Sequence, residues 1–109
     1  MNKILILGIN SFSGSTLASF LQKKNTFKLY ATYHSKKNKK YLLFNKKKLT
    51  LKKVNNLNHK TLINFINKIS PDYIIDFASI CMVNESWEHR NYYMNVNYFS
   101  KKKLLNSLK

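Results

Sequence analysis

Several residue types are scarce in this chain of 109 residues, which has one cysteine, one proline, two glycines and four acidic residues. A single cysteine excludes an internal disulfide and favours a reduced, cytoplasmic setting. The longest apolar run near the N-terminus, Ile4 to Leu7, is far shorter than a signal-peptide core or the roughly 20 residues of a membrane span. The length suits one small domain. We therefore expect one cytoplasmic domain over residues 1–109, without a membrane segment or a membrane partner.

Histidine and cysteine, the residue types typical of zinc sites, are few in this chain and widely separated. Cys81 and the three histidines, His34, His59 and His89, are widely separated in sequence. No pair of them has the short spacing typical of a zinc site, and no nucleophilic triad is indicated. The sequence therefore predicts no metal site.

The scarcity of acidic residues leaves a formal net charge of +16, carried by 20 basic residues. Such a charge alone favours a nucleic acid or an anionic membrane as partner. However, Arg90 is the only arginine, whereas surfaces that read bases use arginine for bidentate contacts to guanine. We interpret the lysines as a solvated surface and expect no specific nucleic-acid partner, although salt-sensitive binding to polyanions is expected. A basic nucleic-acid-binding protein is the alternative.

Apolar spacing predicts an alternation of strands and helices along the chain. Short apolar runs predict strands over residues 3–7, 28–33, 49–54 and 73–78. Helical spacing predicts helices over 15–24, from a cap at Asn58 to 69, and over 92–108. The lysine-rich stretch between the second and third strands favours a loop with one short element. Such alternation is typical of the α/β class, with a parallel sheet covered by helices on both faces.

The only two glycines, Gly8 and Gly14, fall in one turn between the first strand and the first helix. In a dinucleotide-binding turn the first glycine permits the tight bend and the last lets helix and strand pack closely. The amides at the helix N-terminus receive the pyrophosphate. Ser11 replaces the middle glycine, where its side chain crowds the phosphate or its hydroxyl donates to a phosphate oxygen. An ordinary strand-to-helix turn is the alternative.

This turn predicts the N-terminal half of a doubly wound, parallel-sheet Rossmann fold that binds NAD(P). The predicted cofactor contacts in the turn are Gly8, Asn10, Ser11, Phe12, Ser13 and Gly14.

No acidic residue follows the predicted second strand, where NAD-binding domains place one to bind the ribose 2'-hydroxyl. The residues at that place are Tyr33, His34, Ser35 and Lys36. Basic and hydroxyl side chains suit a 2'-phosphate better, so NADP is predicted, with NAD as the alternative. In so lysine-rich a chain, Lys36 and His34 are alternatively plain surface residues.

Three segments carry a family resemblance: KILILGINSFSGSTLASFL, PDYIIDFAS and ESWEHRNYYMNVNYFSKKKLLNSL. They resemble the N-terminal part of extended short-chain dehydrogenases/reductases, within them the NAD-dependent epimerase/dehydratase family, including GDP-mannose and dTDP-glucose 4,6-dehydratases. The resemblance implies the NAD(P)-binding part of an enzyme that epimerises or dehydrates an NDP-hexose by transient hydride transfer. It also implies a homodimer or homotetramer for the full-length form.

The resemblance assigns further site residues. It implies cofactor contacts at Phe77, Ala78 and Ser79 after the last strand, at Asn56 and Leu57 after the third strand, and at Asn97 in the last helix. It implies that the loop bearing Met82, Glu85 and Ser86 contacts the substrate where nicotinamide and hexose meet. The alternative for that loop is packing and solvated charge.

The family's catalytic Tyr-x-x-x-Lys pair is not found in its expected place. Tyr98 and Lys102 have the spacing, but they lie on the helix that carries Asn97, too early in the chain. We therefore predict no catalytic residue, and an N-terminal fragment that is inactive alone. A noncatalytic dinucleotide-binding module and a dehydro-sugar-nucleotide reductase are the alternatives, and the unpaired edge of a four-stranded half-sheet argues against the complete module.

Overall fold

The computed structural model describes residues 1–34, 44–54, 60–78, 90–94, 98 and 100–108. The described strands are β1 (Asn2–Leu7), β2 (Phe27–Tyr33), β3 (Thr50–Lys53) and β4 (Tyr73–Asp76). The described helices are α1 (Phe12–Lys24), α2 (Lys60–Ile69), α3 (Arg90–Met94) and α4 (Ser100–Ser107), with a 3-10 turn at Lys46–Lys48.

The four strands form one parallel sheet in the order β3-β2-β1-β4. This is the strand order of the first half of a doubly wound sheet. β1 pairs with β2 from Asn2 opposite Phe27 to Leu7 opposite Thr32, and its other edge pairs with β4. The α/β class and the parallel sheet predicted from the sequence are confirmed.

The hydrophobic core lies on both faces of the sheet, because successive residues of a strand point to opposite sides. One face of β1 and β2 packs against α1, and its buried residues include Ile4, Ile6, Ala18, Leu21, Leu29 and Ala31. The other face packs against α2 and α4, with Leu5, Leu7, Tyr30, Leu62, Phe65, Ile66, Ile69 and Leu104. β1 is therefore an almost continuous apolar run because helices cover it on both sides.

β2 is more deeply buried than its alternating sequence pattern indicates. Tyr30 and Thr32, which alternate with Leu29 and Ala31, are only 8% and 1% exposed. The Tyr30 ring lies edge-on to the ring of Phe65 in α2, with 6.1 Å between their centroids. Helix α2 covers this second face, so both faces of β2 are buried.

Several predicted boundaries differ from the structure by one to three residues. α1 begins at Phe12 instead of 15 because Ser11 caps it. β4 ends at Asp76, before 78, because the Ala78 amide donates to the Asp76 side chain. Of the helix predicted over 92–108, α3 and α4 are the parts the structure describes, and the predicted cap Asn58 lies outside the described residues.

Candidate functional site

The chain's strand order reverses beside β1, since α1 leads from β1 to β2 on one side and α2 returns the chain to β4 on the other. In open α/β sheets, ligands bind in the crevice outside the carboxyl ends of the strands at such a switch point. The turn from Gly8 to Gly14 follows β1, and Phe77 and Ala78 follow β4. The candidate site is therefore at this edge of the sheet.

Gly8 lies in direct backbone contact with the segment after β4. Its φ is +80°, and a Cβ placed on it would lie 2.8 Å from the Ala78 nitrogen and 2.8 Å from the Phe77 carbonyl carbon. The Gly8 and Ile9 amides both donate to the carbonyl oxygen of Thr32 at the end of β2, at 3.2 and 3.0 Å. Gly8 thus joins the carboxyl ends of three strands, and any side chain there would separate them.

Gly14 provides the second close approach in the turn. A Cβ at Gly14 would lie 2.5 Å from the carbonyl oxygen of Gly8 and 3.0 Å from Ser11 Oγ. Because only glycine leaves room for this contact, the first turn of α1 packs directly on the end of β1.

Ser11 is the N-cap of α1. Its Oγ accepts a hydrogen bond from the Gly14 amide at 3.0 Å and donates one to the Gly8 carbonyl oxygen at 2.8 Å. A hydroxyl has a single proton to donate. In this conformation that proton is committed to Gly8, so Ser11 closes the turn instead of donating to a phosphate oxygen.

The start of α1 is suited to an anion. The amides of Ser11 and Gly14 are used within the turn, whereas the Ser13 amide has no acceptor among the described residues. The first turn of α1 contains no acidic residue, and Ser13 is exposed. An exposed backbone donor at the positive end of the helix dipole attracts negative charge.

The end of β2 is only partly described. Tyr33 is half-buried and accepts a hydrogen bond from the Val54 amide at 2.9 Å through its carbonyl oxygen. His34 is exposed, with Nδ1 3.3 Å from the Val54 carbonyl oxygen. Other predicted site residues lie outside the described residues, namely Ser35, Lys36, Asn56, Leu57, Ser79, Met82, Glu85, Ser86 and Asn97.

Asp76 is a residue of this site that the sequence patterns did not indicate as functional. Its Oδ1 accepts a hydrogen bond from the Ala78 amide at 2.8 Å, and its Oδ2 lies 2.9 Å from Lys101 Nζ in α4. An aspartate that ends an apolar strand is a local signal for the first contact. The second contact joins residues 25 positions apart, so no local pattern reveals it.

A cleft of about 520 Å³ lies elsewhere, between the β2–β3 side of the sheet and α2. Its lining includes Lys3, Thr50 and Lys68, and the Lys3 ammonium group donates to the Ile69 carbonyl oxygen at 2.9 Å. Lys3 and Thr50 stand near the starts of their strands, so the cleft lies away from the carboxyl ends. We therefore assign the candidate site to the turn and not to this cleft.

The part of the chain that the structure describes has neither a cluster of metal ligands nor a membrane-spanning helix. No group of three or more histidine, cysteine or acidic side chains there is placed to hold a metal ion. None of its helices has the length and apolar character needed to cross a membrane.

Residues 4–109 match the model of the NAD dependent epimerase/dehydratase family, so the chain belongs to this family. No curated protein sequence is similar enough to match the chain.

Solved structures confirm the fold. The chain is similar to UDP-glucose 4-epimerase from Brucella ovis in complex with NAD, with 21% identity, a TM-score of 0.82, and coverage of 98% of this chain and 32% of that one. It is also similar to the Bordetella bronchiseptica enzyme WbmH in complex with NAD+, with 19% identity, a TM-score of 0.78, and coverage of 98% of this chain and 34% of that one. A third similar structure is UDP-glucose 4-epimerase from Thermotoga maritima with UDP-glucose, with 16% identity, a TM-score of 0.82, and coverage of 96% of this chain and 33% of that one. The chain thus spans about a third of the length of these proteins.

Proposed function

We propose that residues 1–109 are the NAD(P)-binding part of a sugar-nucleotide epimerase or dehydratase that acts on an NDP-hexose by transient hydride transfer. The observation that carries the proposal is the glycine turn at the switch point of the sheet, in a chain of this family. We assign no catalytic residue to these 109 residues.

The described residues fit a dinucleotide. The turn is closed on itself by Ser11, and the exposed Ser13 amide at the start of α1 has no acidic neighbour in the first turn to oppose a pyrophosphate. We propose that the turn from Gly8 to Gly14 holds the pyrophosphate and that Phe77 and Ala78 line the same crevice. When bound, the nicotinamide would supply the hydride acceptor and donor for the reaction.

We propose NADP as the preferred cofactor, because the described end of β2 carries Tyr33 and His34 and no carboxylate for a ribose 2'-hydroxyl. Two of the similar structures contain NAD or NAD+, which supports a nicotinamide dinucleotide of either kind. Titration calorimetry with NADP and NAD tests the choice, and tighter binding of NAD would refute it.

We propose an NDP-hexose as the substrate, supported by the family and by the Thermotoga maritima structure with UDP-glucose. Within the family, the resemblance of the sequence favours a GDP-mannose or dTDP-glucose 4,6-dehydratase, with Met82, Glu85 and Ser86 at the hexose. We further propose a cytoplasmic enzyme that assembles as a homodimer or homotetramer.

A charge substitution at the start of α1 tests the site without disturbing the fold. Ser13→Glu places a carboxylate where the pyrophosphate would bind, and a negative charge in the first turn stabilises a helix. A carboxylate about 6 Å from a phosphate costs about 0.7 kcal/mol at the dielectric constant of water and about 2.8 kcal/mol at the value typical of a protein surface, or roughly a threefold to hundredfold increase in Kd for NADP. The matched control is Ser19→Glu in the middle of α1, which changes the net charge equally.

The expected result is weaker NADP binding by Ser13→Glu, unchanged binding by Ser19→Glu and no loss of thermal stability in the Ser13 variant. Equal affinities of the two variants for NADP would show that the N-terminus of α1 is not part of the binding site. Failure of the unaltered protein to bind NADP or NAD at all would refute the proposed function.

A further inference from the structure

An ion pair joins Asp76 to Lys101 beside the proposed cofactor site, and the role inferred for it rests on the proposed function. Asp76 ends β4 at the edge of the sheet where the glycine turn lies, and Lys101 lies in the first turn of α4. Lys101 Nζ is 2.9 Å from Oδ2 and 3.0 Å from Oδ1 of the same carboxylate. The Lys101 and Asp76 side chains are 22% and 33% exposed, so the pair is partly open to solvent.

The carboxylate fixes the backbone that lies on the glycine turn. Phe77 extends the pairing of β4 with β1, since its amide donates to the Leu7 carbonyl oxygen at 2.8 Å. The next amide, that of Ala78, turns back and donates to Asp76 Oδ1 at 2.8 Å. The Ala78 nitrogen and the Phe77 carbonyl carbon are the atoms that would touch a Cβ on Gly8. A change in the direction of the Asp76 side chain would therefore move the backbone against which Gly8 packs.

Lys101 holds that carboxylate from a separate element. Leu104, one turn further along α4, is only 4% exposed and packs in the core with Leu5 and Leu7 of β1. Residues three apart on a helix lie on the same face, so the burial of Leu104 also brings Lys101 to the end of β4. α4 is thus tied to β1 by an apolar contact and to the end of β4 by an ionic one.

We propose that Asp76 is a positioning residue for dinucleotide binding, which holds Phe77 and Ala78 against the Gly8 turn and is itself held by Lys101. In this arrangement a displacement of α4 weakens the dinucleotide site, and a bound dinucleotide favours the position of α4 seen here. The ligand whose binding depends on this ion pair is a nicotinamide dinucleotide, in the crevice between the ends of β1 and β4.

Four substitutions separate the two contacts. Asp76→Ala removes both the Ala78 hydrogen bond and the ion pair, whereas Asp76→Asn keeps an acceptor oxygen for Ala78 and loses the charge. Lys101→Met removes only the ammonium group and keeps an apolar stem of similar length. Lys102→Met is the matched control, because the neighbouring lysine of α4 is exposed and has no contact with Asp76.

The measurements are the Kd for NADP and NAD by calorimetry and hydrogen exchange of the Ala78 amide by NMR. Both are made at a temperature at which circular dichroism confirms that each variant is folded. We expect Asp76→Ala to raise the Kd about tenfold and Lys101→Met about fivefold, each with faster Ala78 exchange. Asp76→Asn should raise the Kd about as much as Lys101→Met does. The double variant should have nearly the same Kd as either single variant, since both changes remove the same ion pair. Lys102→Met should bind as the unaltered protein does.

The other possible results distinguish failure of the positioning role of Asp76 from failure of the proposed function. If the unaltered protein binds a dinucleotide and the Asp76 and Lys101 variants bind it equally well, the positioning role is wrong and the proposed function stands. Weaker binding with unchanged Ala78 exchange would also overturn it, because the effect would not pass through that backbone. If the unaltered protein binds no dinucleotide, the proposed function fails, and this inference fails with it.

Discussion

Substitution of Gly8 by alanine tests whether the glycine turn is fixed by backbone contact. At φ +80° an alanine occupies the left-handed region, which costs an L-residue roughly 1–2 kcal/mol. Its Cβ would also lie 2.8 Å from two backbone atoms of Phe77 and Ala78, which belong to a paired segment and not to a flexible side chain. Overpacking of this kind typically costs about 1–3 kcal/mol. We therefore expect Gly8→Ala to lower the free energy of unfolding by about 2–5 kcal/mol.

Urea denaturation followed by circular dichroism measures this loss, with the midpoint and the slope fitted separately. Ser19→Ala, in the middle of α1, is the control, because alanine has the highest helix propensity and the change should cost nothing. A small domain has only about 5–15 kcal/mol of stability, so the Gly8 variant should be visibly weakened. A loss below about 0.5 kcal/mol, the usual range of surface substitutions, would show that the turn has another conformation.

Three further predictions test the cap, the seat of α4 and the surface charge. Ser11→Ala should lower the free energy of unfolding by about 0.5–2 kcal/mol, as for other N-caps, whereas Ser13→Ala should lower it less; urea denaturation compares them. Leu104→Ala should cost about 2–5 kcal/mol, and the exposed Leu105→Ala less than about 0.5 kcal/mol; similar costs would contradict the packing of α4 on β1. Retention on heparin should fall steeply with salt, since it reflects net charge, and retention that persists at about 1 M salt would indicate a specific polyanion site.

The main elements of the fold could be predicted because their signals are local. An apolar run such as residues 4–7 indicates a buried strand, and the i, i+3, i+4 spacing of Leu62, Phe65 and Ile66 indicates one face of a helix. The two glycines indicate the position of the proposed dinucleotide-binding turn, because the chain has no other glycine. The parallel pairing of the strands could be predicted from the alternation of elements, since parallel neighbours need a long crossover connection, usually a helix.

The rest of the site depended on contacts that local patterns do not contain. The burial of Tyr30 arises from Phe65 in α2, which lies 35 positions away in sequence, so an alternating pattern could not reveal it. Ser11 was interpreted through the glycine that it replaces, whereas the structure gives it the ordinary role of a serine before a helix. In the sequence, Asp76 only interrupts an apolar strand, and its partner Lys101 comes from a separate helix.

The placement of the two glycines connects the composition of the chain to its candidate function. At each of them a Cβ would come within 3.0 Å of backbone atoms, the Ala78 nitrogen for Gly8 and the Gly8 carbonyl oxygen for Gly14. These contacts lie in series, since Gly14 packs on Gly8 and Gly8 packs on the segment after β4. The start of α1 therefore stands at a fixed distance from the end of β4, and under the proposed function that distance sets the width of the crevice for a dinucleotide. A side chain at either glycine would widen the crevice as well as destabilise the fold, so dinucleotide affinity and stability should fall together in variants of these two residues, whereas Ser13→Glu should lower the affinity alone.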